Sequence, residues 1–222
     1  MPDSGQRLIN PDHPIHALAQ IISPLRLGTY LNAAGHDADR ALQMYLWNAR
    51  IGEAFHIPIQ SVEVGFRNRT SDGLAAAFGP NWWESAAFAA AVEQRRLDDI
   101  EMVKRRLLSK GKTIATGQII AGLSFGFWVA MLEKRYHPRI WSGQLRIAFP
   151  HLPPNINHKT LHGEVGQIAD LRNRIWHHEP IFYRNLTGDY ARCLRILNWL
   201  CPNKAAWIKH HCRIMQVARE RP

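Results

Sequence analysis

Helix signals run through almost the whole chain, and no stretch alternates apolar and polar residues for long enough to indicate a β-strand. Ser23-Pro24 has the form of an N-cap followed by proline in the first helical turn. The helix that it opens is expected to run to about Ala34 and to stop at Gly35. Because no internal repeat or low-complexity linker divides the chain, the sequence predicts a single all-α domain over residues 1–222.

Caps and helix breakers predict where the other helices begin and end. Asp37 or Asp39 should open the second helix, and Pro58 should restart or kink the chain because proline lacks the amide that a helix needs. The apolar run at 119–132 has 14 residues, whereas a membrane span needs about 20, so it should form a buried core helix. The helices expected after the first are 38–55, 58–78, 91–108, 119–136, 138–149, one opened by Asn157 and ended by Pro180, 188–200 and 203–219.

The charge of the chain favours an anionic partner. Lysine and arginine number 28 against 18 acidic residues, which gives a net charge of +10. Such an excess favours nucleic acid, with an anionic membrane surface as the weaker alternative. A basic protein in which this charge has no binding role is equally compatible with the composition.

Cysteine usage and the start of the chain indicate a cytoplasmic protein. The three cysteines are too few and too irregularly spaced for a disulfide scaffold, and they suit a reducing compartment. The first ten residues, MPDSGQRLIN, lack the apolar run of a signal peptide. We therefore expect no membrane association.

The segment LRNRIWHHEPIF, at 171–182, concentrates the polar residues that could do chemistry. On a helical wheel Arg172 falls inside an apolar stripe, and Asn173 and His177 share the bordering face at a spacing of four residues. The residues of that stripe are Leu161, Val165, Ile168, Leu171 and Ile175. A guanidinium in such a place needs a partner. It is either a carboxylate, with Glu63 and Glu164 as candidates, or a bound phosphate.

A metal site is a weaker interpretation of the same segment. His177, His178 and Glu179 are all ligand types, but neighbouring residues on a helix point about 100° apart. No second HxxxH or CxxC pair completes a ligand set, and the residues Cys201, His210, His211 and Cys212 lack a familiar zinc spacing. No metal is therefore expected.

Arg172-Asn173-x-x-x-His177 matches the R-x4-H motif of HEPN domains, and LRNRIWHHEPIF resembles the Abi-like (abortive infection) branch of that superfamily. Three other segments resemble the same branch in the same order: VEVGFRNRTSDGLAAAFGPNWW at 62–83, LSFGFWVAML at 123–132 and WSGQLRIAFP at 141–150. Trp176 departs from the pattern, because many relatives carry a smaller residue before the first histidine. It would narrow the cleft.

The resemblance implies an all-α HEPN-like bundle with additional helices, with a motif-bearing core at about 38–200. It implies a homodimer in which two copies of the motif face one cleft. The implied activity is that of a metal-independent endoribonuclease without a cofactor, acting as a toxin or in phage defence. RNA would be the substrate, and an antitoxin protein or RNA would restrain the enzyme.

Roles for individual residues follow from this resemblance and from phosphodiester chemistry. His177 would transfer protons, because imidazole titrates near neutrality. Arg172 would grip the phosphate with its fork of donors, and Asn173 would orient His177 or the phosphate. The supporting residues are Glu63, Arg67 and His178. Of these, Glu63 is expected to orient Arg172.

Lys104, Arg105, Arg106 and Arg174 are the candidate RNA-binding residues. The first three lie near the end of a predicted helix, where positive charge also stabilises the helix dipole without any ligand. The Glu63–Arg67 spacing is likewise that of an ordinary surface ion pair. The alternatives to a nuclease are a non-catalytic HEPN fold that binds RNA or protein, a metal-dependent hydrolase and, more distantly, a transcription factor.

Overall fold

The computed structural model describes residues 13–222, so the expectation about the first ten residues lies outside the described residues. Within 13–222 all regular elements are helical and no strand occurs, which confirms the all-α prediction. None of the helices in this part of the chain combines the length and the apolar character needed to cross a bilayer.

The helices are α1 Ile15–Ile22, α2 Pro24–Ala33, α3 Ala38–Phe78, α4 Ala86–Ala91, α5 Gln94–Leu108, α6 Thr116–Gly122, α7 Phe125–Ala130, α8 Ser142–Ala148, α9 His158–Trp176, α10 Leu186–Leu200, α11 Pro202–His211 and α12 Ile214–Arg219. Short 3₁₀ segments lie at Trp82–Glu84 and Lys134–Tyr136, and a π-helical turn lies at His137–Trp141.

Helix α3 continues through Pro58, so the prediction of a restart there was wrong. Proline inside a helix costs about 3 kcal/mol. The apolar stripe of α3 crosses the proline without interruption, because Phe55, Ile59 and Val62 are all fully buried. Each such side chain contributes about 1.5–3 kcal/mol when it leaves water. The packing of the stripe therefore outweighs the lost backbone hydrogen bond.

At 41 residues, α3 is about 60 Å long and forms the axis of the fold. It contacts α2, α6, α7, α8, α9, α10 and α12. Its core-facing residues belong to one cluster of buried side chains that also includes residues of α9 and α10. The positions of these seven helices are thus defined relative to α3.

Three predicted N-caps are formed. The side chain of Ser23 accepts a hydrogen bond from the amide of Arg26, and Asp37, rather than Asp39, accepts one from Arg40. Asn157 accepts one from Thr160 and opens α9. These caps involve partners only three residues away, so local sequence defines them.

The predicted helix 119–136 is divided into α6 and α7, a correction with a local cause. Leu123 is extended, and Ser124 caps α7 by accepting a hydrogen bond from the amide of Phe127 at 3.1 Å. Gly122 ends α6 against α5, where a Cβ would lie 2.5 Å from Val103. Arg106 donates to the carbonyl of Gly122 at 2.9 Å and satisfies the helix end.

Other boundaries also differ from prediction. The expected helix 203–219 is two helices, α11 and α12, because Cys212 has an extended backbone. Helices α1 and α4 were not predicted. Helix α5 begins at Gln94 rather than at 91, and the expected 138–149 helix is α8 preceded by the π-helical turn.

At Gly73, α3 packs tightly against α8 and the π-helical turn before it. We expect Gly73→Ala to lower the free energy of unfolding by about 1–3 kcal/mol, as overpacked cores do. The reason is that the new Cβ would lie 2.6 Å from the ring of Trp141 and 3.0 Å from the Cβ of Ala148. Urea unfolding followed by circular dichroism measures the change.

Gly28→Ala in α2 is the matched control, since no heavy atom lies within 4 Å of its added Cβ. It should raise the free energy of unfolding by about 0.5–1 kcal/mol, because alanine favours the helix. A stabilising effect at both positions would contradict the close packing of α3 on α8.

Candidate functional site

Helix α9 runs antiparallel along α3, and this pairing assembles the candidate site. As residue numbers rise along α9 and the segment after it, the numbers of their contacts on α3 fall. The contacts are Arg172 with Glu63, Trp176 with His56, and the chain at 179–181 with Asn48. A single stripe of α3 therefore faces the whole C-terminal half of the motif.

Arg172 is held between a carboxylate and an aromatic ring. Its Nε lies 3.4 Å from Oε2 of Glu63, and its guanidinium carbon lies 4.8 Å from the ring centroid of Trp176. The side chains of Arg172 and Glu63 are 29% and 22% exposed. Among the described residues, neither Nη1 nor Nη2 of Arg172 makes a hydrogen bond. The guanidinium is thus oriented, yet two of its nitrogens remain available to a ligand.

Glu164, the other candidate partner of Arg172, is engaged elsewhere. Its carboxylate accepts hydrogen bonds from Arg195 at 2.5 and 3.0 Å and lies 3.5 Å from Nε of Arg192. These contacts join α9 to α10. The ion pair expected between Glu63 and Arg172 is therefore present, and the alternative with Glu164 is not formed.

Trp176 connects Arg172 to a residue that the sequence did not single out. Its ring stacks on the imidazole of His56, with centroids 5.3 Å apart and planes at 19°. Trp176 is 40% exposed, so this stacked pair also presents an aromatic surface to solvent. A smaller residue at 176 would remove the contacts to both neighbours.

Asn173 and His177 lie at the exposed end of α9. The backbone amide of His177 donates to the carbonyl of Asn173 at 2.9 Å. In residues 13–222 no hydrogen bond or ion pair occupies the imidazole of His177, and none joins it to the side chain of Asn173. The imidazole is therefore free to meet a ligand, and the orienting role expected for Asn173 remains a prediction.

His178 lies two residues after Trp176, the last residue of α9, and two residues before Pro180. It adopts φ 55°, in the left-handed region. Its amide donates to the carbonyl of Ile175, and the amide of Glu179 donates to that of Arg174. This is the Schellman arrangement, in which glycine is the usual residue at the left-handed position. The helix thus ends before Pro180, and the role shown for His178 is to close it.

We expect His178→Gly to raise the free energy of unfolding by about 1 kcal/mol, because glycine adopts the left-handed conformation without a steric penalty. His162→Gly inside α9 is the control and should instead cost about 1 kcal/mol, as glycine does in helices. Thermal or urea unfolding of both variants gives the comparison. Destabilisation by His178→Gly would show that its side chain holds the site.

Asn48 fixes the chain that follows the motif. Its side chain is buried, accepts a hydrogen bond from the amide of Ile181 at 2.8 Å and donates to the carbonyl of Glu179 at 3.3 Å. Because buried backbone groups need partners, Asn48 determines where the segment beyond α9 crosses α3.

Asn48→Ala should therefore lower the free energy of unfolding by about 1–3 kcal/mol, since it leaves the buried amide of Ile181 without its partner and removes the hydrogen bond to the partly buried carbonyl of Glu179. Asn198→Ala on the exposed face of α10 is the control and should change stability by less than about 0.5 kcal/mol. Equal effects of the two substitutions in urea unfolding would contradict the positioning role.

Arg67 does not form the surface ion pair with Glu63 that its spacing suggested. Among the described residues, the ion pair of Glu63 is with Arg172. Nε of Arg67 is buried and has no hydrogen-bond partner in this part of the chain. The longer-range pair is formed because Arg172 lies against α3, and nothing in the structure assigns Arg67 a supporting role.

The candidate RNA-binding residues are not equivalent. Lys104 contacts Glu101 at 2.6 Å and lies 5.1 Å from the ring centroid of Trp83, and Arg106 binds the carbonyl of Gly122. Arg105 is exposed on the same helix. No hydrogen bond or ion pair of the described residues joins α5 to α9, so no contact of this kind links these three cations to the motif.

Arg174 lies on α9 itself and is exposed. It pairs with Asp170 and with Glu179, each at 3.4 Å. Its charge is therefore already shared between two carboxylates next to the motif.

A cavity of about 810 Å³ opens beside Trp176. Its walls include Arg26, Tyr45, Glu53, His56 and His178. Tyr30 also lines it, and burial, with a smaller contribution from Tyr45, raises the pKa of Tyr30 to about 12, so the phenol stays protonated. Arg26 reaches the end of the motif, because its Nη2 lies 3.5 Å from the carbonyl oxygen of His177.

Sequence reasoning missed Arg26, Asn48, Glu53 and His56. A signal for His56 was present, since it lies seven residues before Glu63 and shares its face on a continuous helix. Because a break was predicted at Pro58, His56 and Glu63 were assigned to different helices and their shared face was not recognised.

No group of three or more His, Cys, Asp or Glu side chains within residues 13–222 is arranged to hold a metal ion.

Comparisons of the chain with protein-family models, with curated proteins and with solved structures find no match.

Proposed function

We propose that this protein is a metal-independent endoribonuclease of the HEPN type, in which Arg172, Asn173 and His177 act on an RNA phosphodiester. The observation that carries the proposal is that the guanidinium of Arg172 is oriented but only partly paired. Glu63 and Trp176 orient its guanidinium, while Nη1 and Nη2 remain unpaired near the exposed end of α9. A cation prepared in this way suits a phosphate, whose oxygens accept paired N–H donors.

The reaction needs a base, an acid and a cation. His177 takes the proton of a ribose 2′-OH, whose oxygen attacks the adjacent phosphorus, and Arg172 stabilises the charge on the pentacoordinate intermediate. The bond to the 5′ oxygen then breaks, and that oxygen gains a proton. The products are a 2′,3′-cyclic phosphate and a 5′-OH end, and neither a metal nor a cofactor enters.

One His177 in each chain leaves the acid for the leaving group unassigned. His177 of a second copy would supply it in a homodimer whose two motifs share a cleft. The net charge of +10 favours an RNA partner in either case. A cytoplasmic toxin or phage-defence enzyme held in check by an antitoxin protein or RNA is the biological role that accompanies this proposal.

A non-catalytic RNA- or protein-binding module is the second candidate. The ion pair of Arg172 with Glu63 favours it, because a half-buried guanidinium that pairs with a carboxylate already has a structural role. In that case the motif would stabilise the packing of α9 on α3, and His177 would be an ordinary helix-end residue.

We expect His177→Ala to lower RNA cleavage by at least about 100-fold, which is the contribution typical of a general acid or base. The assay uses labelled total RNA and tRNA with EDTA present, followed by denaturing electrophoresis and identification of the cyclic phosphate. RNA binding and thermal unfolding should be unchanged, since the imidazole of His177 is exposed.

His178→Gly is the matched control, because it removes the neighbouring imidazole while the hydrogen bonds that end α9 involve only backbone atoms. It should retain cleavage. Equal cleavage by wild type and His177→Ala would contradict the proposal, and RNA binding without cleavage by either protein would favour the binding module. Loss of wild-type cleavage in EDTA would instead indicate a metal-dependent hydrolase.

A further inference from the structure

We propose that the cavity beside Trp176 binds one unpaired base of the RNA substrate and that it prefers guanine. This inference rests on the proposed function, because it names the part of the substrate that lies next to the scissile phosphate. Its volume of about 810 Å³ is within the range of about 300–1,000 Å³ found for small-molecule sites. The cavity therefore has enough volume for a base.

Aromatic rings give the cavity its affinity for a base. The stacked rings of Trp176 and His56 form one part of the wall, and Trp176 is 40% exposed. Tyr45 contributes a further, partly exposed ring, held edge-on against Tyr30 at 5.2 Å. Stacking on such rings is the usual way in which proteins hold single-stranded bases.

The cavity is also close to the phosphate-binding group. Trp176 contacts the guanidinium of Arg172, and it also lines the cavity. Arg26 lines the cavity and reaches the carbonyl oxygen of His177. A base in the cavity would therefore belong to a nucleotide adjacent to the phosphate that Arg172 and His177 address.

Glu53 supplies the selectivity. It is exposed at the cavity wall and forms no ion pair or side-chain hydrogen bond with the described residues. Two other polar side chains at this wall are engaged, since Asn48 binds backbone atoms and Glu179 pairs with Arg174. A free carboxylate accepts hydrogen bonds, so it favours a base edge that carries donors.

Guanine matches this carboxylate best. Its Watson–Crick edge carries two adjacent donors, the N1–H and the N2 amino group, which can bind both oxygens of one carboxylate. Adenine and cytosine each place a ring acceptor beside their amino group, and uracil places its one donor between two carbonyls. The remaining guanine O6 needs a donor, and Arg26 at the same wall carries N–H groups.

The test measures binding of 5′-GMP, 5′-AMP, 5′-CMP and 5′-UMP to the full chain by isothermal titration calorimetry, with His177→Ala titrated in parallel. GMP should bind most tightly to both proteins, because the cavity does not depend on the imidazole of His177. Glu53→Gln should weaken GMP binding by about tenfold, the loss expected for a bidentate base contact, and should leave UMP binding unchanged.

Glu84→Gln is the control, since Glu84 is also exposed and free of ion pairs among the described residues but lies outside the cavity. It should change no affinity. GMP binding no tighter than UMP binding, or GMP binding unaffected by Glu53→Gln, would overturn the base-binding proposal whether or not the protein cuts RNA. Guanine-selective binding that Glu53→Gln removes would support the cavity even if no RNA is cut, and only the nuclease proposal would then fail.

Discussion

The antiparallel contact between α3 and α9 is the constraint on which the candidate site depends. It exists because α3 remains one helix across Pro58, so that Asn48, His56 and Glu63 lie along one side of it. A break at Pro58 would rotate the residues before it relative to Glu63. Arg172 would then lose either its carboxylate or the stacked pair that supports Trp176. Burial of the apolar stripe around Pro58 therefore stabilises the site as well as the core.

The two ends of α9 are formed by different kinds of interaction. Asn157 opens the helix through a local cap, whereas the end depends on a strained, left-handed residue and on Asn48 from another helix. The chain turns sharply at His178, and His177 is exposed at the end of α9. The left-handed, strained backbone of His178 thus lies directly beside the exposed His177.

Local and tertiary signals explain which features the sequence could predict. The caps at Ser23, Asp37 and Asn157 were predictable because each acts over three residues. Chemistry predicted that Arg172 needs a partner, since a charge inside an apolar stripe requires one, but it left Glu63, Glu164 and a phosphate open, and the structure pairs it with Glu63. The continuity of α3 was not predictable, because it results from packing against helices that are distant in sequence. The stacking of His56 on Trp176 and the position of Glu53 at the cavity wall could not be inferred without that continuity. The division of the predicted helix 119–136 was missed although Ser124 caps α7 through a partner only three residues away.

Two arginines of this chain, Arg184 and Arg172, differ in how many of their guanidinium nitrogens have carboxylate partners. Arg184 binds Asp189 at 2.8 and 3.1 Å and Asp170 at 2.6 Å, so all three of its nitrogens have carboxylate partners. The hydrogen bonds of Asp189 raise the pKa of Arg184. The one hydrogen bond that Arg172 makes with the described residues is the 3.4 Å contact with Glu63, longer than the roughly 2.7–2.9 Å of a strong charge-assisted bond. Nη1 and Nη2 form no hydrogen bond with this part of the chain, so a phosphate could bind them without displacing Glu63. The two arginines therefore differ in the donors that they leave available, which is the property on which the proposed phosphate contact depends.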